Sequence, residues 1–266
     1  MKLQIKHSTD YQYSVPATYA LLQIRMRPQP NRSQKILAWD LNLGGASVQT
    51  EYQDHNGNWV DLIALEPGAE QVELQVSGLV ETTGASGVIG PHQGVMPLWY
   101  YKRQTPLTQS GTGVAQLVAQ LGEIDADPLA GLHALSARIR AQVAYSVGAT
   151  QITTRAEEAL SLGQGVCQDH SHIFLAAARA LGFSARYASG YLMMNDRVEQ
   201  DASHAWAEVY LEALGWVGFD ISNGISPDER YVQISYGLDY AEAAPTSGIL
   251  IGAQKEQLRV SIQVQQ

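Results

Sequence analysis

The most informative residue of this 266-residue sequence is its single cysteine, Cys167. It follows a glycine-rich segment, 163–166, and precedes an Ala- and Leu-rich run that ends at Gly182. Apolar residues recur in that run at helical spacing, which predicts a helix beginning at or near Cys167, with Asp169 as a candidate cap. The positive end of a helix stabilises a thiolate, the form of cysteine that attacks carbonyl carbons. Cys167 is therefore a candidate nucleophile, and its backbone N–H is a candidate oxyanion donor.

A thiolate nucleophile also needs a base and a group that orients the base. The segment 201–210 alternates in the manner of a strand, with His204 on one face. A second predicted strand, 216–220, ends at Asp220. If the connection is odd-numbered and centred near Glu212, Asp220 lies opposite His204 within side-chain reach. A slip of one residue would turn Asp220 to the other face, so the pairing register is a sharp test of this prediction.

The pattern of the first hundred residues predicts an all-β region without a group of candidate catalytic residues. Apolar and polar residues alternate there with the period of two that half-buried strands require. The segment Asp54-His55-Asn56-Gly57-Asn58 predicts a tight hairpin, because an Asn-Gly pair tolerates positive φ. Short strands separated by turn residues indicate an antiparallel sandwich. The runs are 2–7, 22–27, 35–43, 47–52, 59–64 and 71–79.

Helical patterns begin after a connecting segment that is rich in Gly, Ser, Thr and Pro. One predicted helix covers 114–121, and a second covers 128–143 with Asp127 as its N-cap. Thr154 and Glu157 have the spacing of a capping box for a short third helix. Strands followed by helices and further strands predict an α+β fold.

Composition and charge exclude several classes of function. The chain has 17 Lys+Arg against 26 Asp+Glu, a formal net charge of −9, and its basic residues do not cluster. We therefore predict neither a nucleic-acid partner nor an anionic membrane surface as a partner. No apolar signal segment follows Met1, and no run approaches the roughly 18 apolar residues of a membrane span, which predicts a cytoplasmic protein.

Cofactor chemistry is also not predicted. A lone cysteine excludes an internal disulfide and a multi-thiolate metal site within one chain. His170 and His172 are two residues apart, so on a helix they point about 200° apart and cannot bind one ion from one face. We predict no metal and no cofactor, and a surface or supporting role for His172.

Four blocks within residues 165–220 together resemble the bacterial transglutaminase-like superfamily. The blocks are Gly165-Val166-Cys167-Gln168-Asp169, 181–191, 204–209 and 215–220. The resemblance implies a papain-like core with a Cys–His–Asp triad, in which Cys167 is the nucleophile, His204 the base and Asp220 the orienting group. It also implies a β-rich N-terminal domain of the kind that precedes such cores, so we predict an N-terminal antiparallel β-sandwich at 1–105 and a transglutaminase-like catalytic domain at 106–266.

The predicted reaction is acyl transfer at a peptide or isopeptide amide through a thioester, with hydrolysis as the favoured outcome. Cross-linking by transfer of the acyl group to an amine uses the same triad and remains an alternative. A non-catalytic peptide-binding module on the same fold is a second alternative, and no triad residue is missing to favour it. Three residues are candidates for the second oxyanion donor, namely Trp99, Tyr145 and Gln164. A peptide or protein substrate is predicted, and the oligomeric state is left open.

Overall fold

The computed structural model describes residues 1–15, 17–84, 86–122, 124, 126–252 and 256–266. Sixteen strands lie in this part of the chain. In order they are β1 (Lys2–Tyr13), β2 (Tyr19–Ile24), β3 (Gln34–Gly44), β4 (Ala46–Gln53), β5 (Trp59–Leu65), β6 (Gln71–Thr82), β7 (Val88–Gly90), β8 (Ala144–Tyr145), β9 (Gln164–Gly165), β10 (Ala185–Leu192), β11 (Glu199–Gln200), β12 (His204–Leu211), β13 (Gly215–Phe219), β14 (Tyr231–Gly237), β15 (Thr246–Ile251) and β16 (Glu256–Gln265).

The helices of the described chain all lie after residue 97. A 3-10 helix, η1 (Leu98–Lys102), comes first, and five α-helices follow it. These are α1 (Thr112–Ala119), α2 (Pro128–Gln142), α3 (Ala156–Leu162), α4 (Cys167–Ala180) and α5 (Tyr240–Ala243). None of the helices in the described ranges is both long and apolar enough to cross a bilayer.

Two sheets form the predicted sandwich, with strand orders β11-β16-β1-β6-β3 and β15-β2-β5-β4. Burial alternates along β1, where Leu3 and Ile5 are fully buried between exposed neighbours, as the period of two requires. The predicted hairpin joins β4 to β5, with Gly57 at φ +90 and the Asp54 carboxylate accepting from the Asn56 and Asn58 N–H groups at 2.9 Å. The α+β fold with its antiparallel sheets is therefore confirmed.

A third antiparallel sheet, of order β14-β10-β12-β13-β7, supports the region that contains Cys167. Helix α4 packs on β10 and β12, and α1, α2 and α3 pack around α4. This explains why α4 is buried on nearly every side and why β10 and β12 are buried throughout most of their length. A helix buried in this way holds its first residue in a fixed position relative to the sheet.

Sheet membership departs from the predicted division at residue 105 at two places. Strand β7 pairs with β13 and so belongs to the sheet beneath α4. Strands β15 and β16 return to the sandwich, where they pair with β2 and β1. Strand pairing therefore crosses residue 105 in both directions, and the division into 1–105 and 106–266 stays a prediction.

The helix starts confirm one predicted cap and overturn another. Asp127 caps α2, since its carboxylate accepts from the Ala130 N–H at 3.0 Å. The predicted capping box of Thr154 and Glu157 is wrong. The N-cap residue of α3 is Arg155, and its backbone N–H donates to the Glu158 carboxylate at 2.9 Å. Glu157 instead accepts from three backbone N–H groups at the start of α1, which has no side-chain cap of its own; these belong to Gly111, Gly113 and Val114.

A buried histidine lies where the sandwich meets the α4 sheet. His7 of β1 is 4% exposed, with Nδ1 2.7 Å from the Tyr191 hydroxyl and Nε2 2.9 Å from Thr9 Oγ1. Burial lowers the pKa of His7 to about 4. The folded protein therefore keeps His7 neutral in a pH range where the unfolded chain protonates it, so protons favour unfolding between about pH 6.5 and pH 4.

We expect the His7→Gln variant to be less sensitive to acid than the parent protein. One pKa unit corresponds to about 1.4 kcal/mol, so the parent should lose about 2–3 kcal/mol at this residue between pH 7 and pH 4.5. Urea unfolding at both pH values measures the loss, and the variant should lose about 2 kcal/mol less. His55→Gln, at an exposed histidine, is the control. Equal pH dependence in all three proteins would contradict the expectation.

Candidate active site

The start of α4 is held by a side chain in its own first turn. Asp169 Oδ2 accepts from the Val166 N–H at 2.8 Å and from Thr150 Oγ1 at 2.6 Å. A Cβ at position 165 would lie 2.8 Å from the same carboxylate oxygen, so only glycine fits there. The predicted helix start at Cys167 and the predicted cap at Asp169 are confirmed. Cys167 is partly exposed, so its thiol is open to a ligand.

His204 and Asp220 form a buried pair beside Cys167. His204 Nε2 lies 2.6 Å from Asp220 Oδ2, and the side chains are 8% and 0% exposed. The Cys167 side chain also acts on the His204 ring, since its interaction with the ring helps to raise the pKa of His204. Because Nε2 donates to the carboxylate, the other ring nitrogen, Nδ1, is the one that remains for the thiol. The three residues predicted from the sequence are thus brought together.

Two residues that the sequence analysis missed hold the Asp220 carboxylate. The Tyr231 hydroxyl and the Asn223 side-chain amide both donate to Oδ2 at 2.7 Å, and the Asn223 N–H donates to Oδ1 at 3.1 Å. The Asn223-Gly224 pair is a turn signal in the sequence and could have indicated the contact between Asn223 and Asp220. Tyr231 lies on β14, which is not adjacent to Asp220 in the chain, so no local pattern indicates it.

The charges of the pair stabilise each other. Burial acts to lower the pKa of His204, but the hydrogen bonds and negative charges of Asp220 and Cys167 outweigh burial and raise this pKa to about 10. Burial acts to raise the pKa of Asp220, but the hydrogen bond and positive charge of His204, with the donors of Asn223 and Tyr231, hold it below its ordinary value. At neutral pH the His204 ring is therefore a cation between a carboxylate and the thiol.

The strand register differs from the predicted one by two residues. The turn between β12 and β13 has three residues, 212–214, and pairs Leu211 with Gly215. Extending this register places Asp220 opposite Trp206, which lies two residues along β12 from His204 and on the same face. The prediction of direct opposition is wrong, but a shift by two keeps both side chains on one face. Asp220 itself lies just beyond β13, bridged to Ile225.

Of the three candidate oxyanion donors, only Tyr145 shows an interaction with Cys167. Burial raises the pKa of Tyr145, the negative charges of Cys167 and Asp220 raise it further, and Arg197 opposes them. Strand β8, which contains Tyr145, pairs in parallel with β9 immediately before Cys167. Gln164 has an exposed side chain in β9. Trp99 lines a separate cleft with Phe183 and Leu214.

The two histidines of α4 point to opposite sides, as their spacing predicts. His170 Nε2 lies 3.0 Å from the Val143 carbonyl, and Nδ1 lies 2.8 Å from Ser222 Oγ. His172 is fully buried, accepts from the Tyr240 N–H at 3.2 Å, and has its pKa lowered to about 3 by burial. The predicted surface role of His172 is wrong, because α4 is covered on that side by β10 and α5. No cluster of three metal-ligating side chains occurs among the described residues.

A buried helix that begins with a partly exposed cysteine, packed on an antiparallel sheet that contributes a hydrogen-bonded His–Asp pair, defines a transglutaminase-like cysteine-enzyme fold. Residues 115–221 match the family described as the transglutaminase-like superfamily, and residues 3–81 match the bacterial transglutaminase-like N-terminal region. Residues 115–221 are thus similar to the transglutaminase-like core, and residues 3–81 are similar to the N-terminal region found in bacterial proteins of that kind.

Relatives in sequence and structure cover different shares of the chain. An uncharacterized protein of Mycobacterium leprae is 26% identical over 99% of this chain and 98% of its own length. An uncharacterized protein of Mycobacterium tuberculosis is 36% identical over 50% of this chain and 46% of its own length. A crystal structure of a provisionally assigned cysteine protease from Cytophaga hutchinsonii has a TM-score of 0.74 and 19% identity, over 100% of this chain and 98% of that one. This last similarity shows the fold.

Proposed function

We propose that the chain is a cysteine-dependent hydrolase that cleaves a peptide or isopeptide amide through a thioester. The observation that carries the proposal is the position of His204, which is hydrogen-bonded to Asp220 at 2.6 Å and close enough to Cys167 for that side chain to raise the pKa of the ring. The substrate is a peptide or a protein. Because the cysteine acts only when reduced, the cytoplasm is the proposed location.

In the proposed reaction the proton of the Cys167 thiol has already passed to His204 in the free enzyme, and the sulfur attacks the amide carbonyl carbon. The resulting oxyanion is held by the Cys167 N–H, with the Tyr145 hydroxyl as the proposed second donor. Collapse of the tetrahedral species breaks the C–N bond, and His204 returns its proton to the leaving amine. Water then attacks the thioester with His204 as base, which releases a carboxylic acid and the free thiol. Asp220 orients the ring and balances its charge throughout.

Exposed apolar side chains next to Cys167 support a peptide substrate. The segment 145–152 leaves Tyr145, Val147 and Ile152 more than half exposed, and the Ile152 carbonyl accepts from Gln168, the residue after the cysteine. Apolar side chains in this position can hold the acyl part of a substrate over the thiol. The partly exposed Cys167 also leaves the thioester open to water, which supports hydrolysis.

Alkylation by iodoacetamide tests the proposed nucleophile directly, because the chain has a single thiol. A free cysteine is only about 3% thiolate at pH 7, so we expect Cys167 to react about tenfold faster in the parent protein than in the His204→Ala variant. The matched control is His55→Ala, which should react like the parent. Equal rates in the parent and in His204→Ala would contradict the proposed role of His204.

The fate of the thioester separates hydrolysis from amine transfer. A peptide library incubated with the parent protein, and with Cys167→Ser as the blank, should yield new carboxylic acid ends in water alone, detected by mass spectrometry. Product that forms only after a lysine-like amine is added would show that the reaction is cross-linking and not hydrolysis. Rapid alkylation of Cys167 without any product in either condition would favour the non-catalytic binding module.

A further inference from the structure

A second cleft lies on the opposite side of the α4 sheet from the helix. It encloses about 600 Å³ between the sandwich and the start of β13, a volume suited to a small molecule. Neither Cys167, His204 nor Asp220 lines it. The sandwich contributes the segment 29–32 and the β4–β5 hairpin, and the sheet contributes Arg186, Trp216, Gln233 and Tyr236.

The base of the cleft is a buried arginine whose two faces are covered. The Arg186 guanidinium carbon lies 4.2 Å from the ring centre of Trp216 and 3.8 Å from that of Tyr236. The side chain is 6% exposed, and Nε donates to Glu208 at 2.6 Å. With both faces stacked, a further partner can approach this guanidinium only at its edge.

Glu208 occupies one edge of the guanidinium and leaves the other toward the cleft. Its carboxylate is fixed by three donors, because Trp206 Nε1 at 3.1 Å and Gln233 Nε2 at 2.6 Å donate in addition to Arg186. Glu208 does not line the cleft, whereas Arg186 does. Because Nε is occupied by Glu208 and the side chain lines the cleft, the Nη end is the part of Arg186 left to meet a ligand there, and it has the fork geometry that matches a planar carboxylate.

The walls of the cleft are also suited to an anionic, polar ligand. Arg32 lies on the rim, and the described residues that line the cleft include no aspartate or glutamate. This absence contrasts with the net charge of −9 of the whole chain. Amide side chains line much of the remaining wall and can donate to or accept from a ligand; they are Gln29, Asn31, Gln53, Asn56, Gln93 and Gln233.

We propose that this cleft is a second binding site, separate from the Cys167 site, which takes the carboxylate group of a small polar molecule. The carboxylate binds the free edge of Arg186, the Arg32 charge attracts it at the rim, and the amide side chains hydrogen-bond the polar body of the ligand. Binding involves no covalent step and does not depend on the reaction proposed for Cys167.

Calorimetric titration with glutarate tests the site, with glutaramide as the neutral probe of nearly the same shape. We expect saturable 1:1 binding of glutarate, at least tenfold weaker binding of glutaramide, and unchanged glutarate binding in the Cys167→Ser variant. Inorganic phosphate, a tetrahedral anion, should bind more weakly than glutarate. No saturable glutarate binding, or tighter binding of phosphate, would overturn the proposal.

Two rim variants locate the binding without disturbing the buried Arg186–Glu208 pair. Arg32→Ala should weaken glutarate binding at least fivefold, whereas Arg138→Ala, which removes the same charge from the exposed face of α2, should not. Gln93→Trp places a large side chain at an exposed lining position and should block binding. If both arginine variants weaken binding equally, or if Gln93→Trp binds glutarate normally, the cleft is not the site.

Discussion

The Asp220→Asn variant is expected to lose amide hydrolysis by a factor on the order of 10³–10⁴, the size of effect seen when the orienting carboxylate of a catalytic histidine is neutralised. Asparagine keeps the shape of the side chain but removes the negative charge that helps to raise the pKa of His204 to about 10. In the variant the ring therefore loses its proton at lower pH, and the cation that stabilises the Cys167 thiolate is lost with it.

The pH profile of alkylation distinguishes this role from a purely structural one. In the parent protein the rate of Cys167 alkylation should change little between pH 7 and pH 9, because His204 stays protonated across that range. In Asp220→Asn the rate at pH 7 should be lower than in the parent and should rise with pH. Asp228→Asn is the matched control, since this carboxylate pairs with Arg230 outside the site. Identical profiles for parent and Asp220→Asn would refute the orienting role.

The Arg179→Met variant is expected to lose about 3–5 kcal/mol of the free energy of unfolding. Arg179, near the end of α4, is 5% exposed and donates to three backbone carbonyls and to Thr108 Oγ1. The carbonyls belong to Tyr101, Ala185 and Leu238, so one side chain connects η1, β10 and the segment before α5. Methionine fills a similar volume but removes the arginine donors from the three backbone carbonyls in a buried site.

Urea unfolding monitored by circular dichroism measures this loss. Lys102→Met removes an equal charge from an exposed position and should change the unfolding free energy by less than about 0.5 kcal/mol. Arg179→Lys should fall between the two, because an ammonium group cannot reach every acceptor of the planar guanidinium. A loss below about 1 kcal/mol in Arg179→Met would show that the carbonyls find other donors.

The helix start at Cys167 and the common face of His204 and Asp220 could be predicted because both follow from local periodicity. A helix with period 3.6 and a strand with period 2 determine which side chains share a face, and a shift by two residues does not change that. The exact register could not be predicted, because it depends on which three residues form the turn, and these are 212–214. The turn is specified by Gly215 at φ +78, whose backbone packs against Gly90.

Contacts between distant parts of the chain escaped the sequence analysis for a common physical reason. Tyr231 on Asp220, Tyr191 on His7 and the Glu157 cap of α1 each join segments that are not neighbours in sequence. The local sequence pattern around a residue indicates the face on which its side chain lies, but it does not indicate which residue the side chain contacts there. Functional support of this kind is set by tertiary packing, which periodicity does not encode.

Strand β16 has a consequence for how the protein is made. Gln4 pairs with Gln265, and the same strand pairs with β11, four residues before His204. One edge of β1 therefore stays open until β16 has been synthesised, and ribosomal synthesis proceeds at about 5–20 residues per second. Pairings of such high contact order also form slowly. The segment that leads into His204 is thus paired only after residues 262 and 263 have been synthesised.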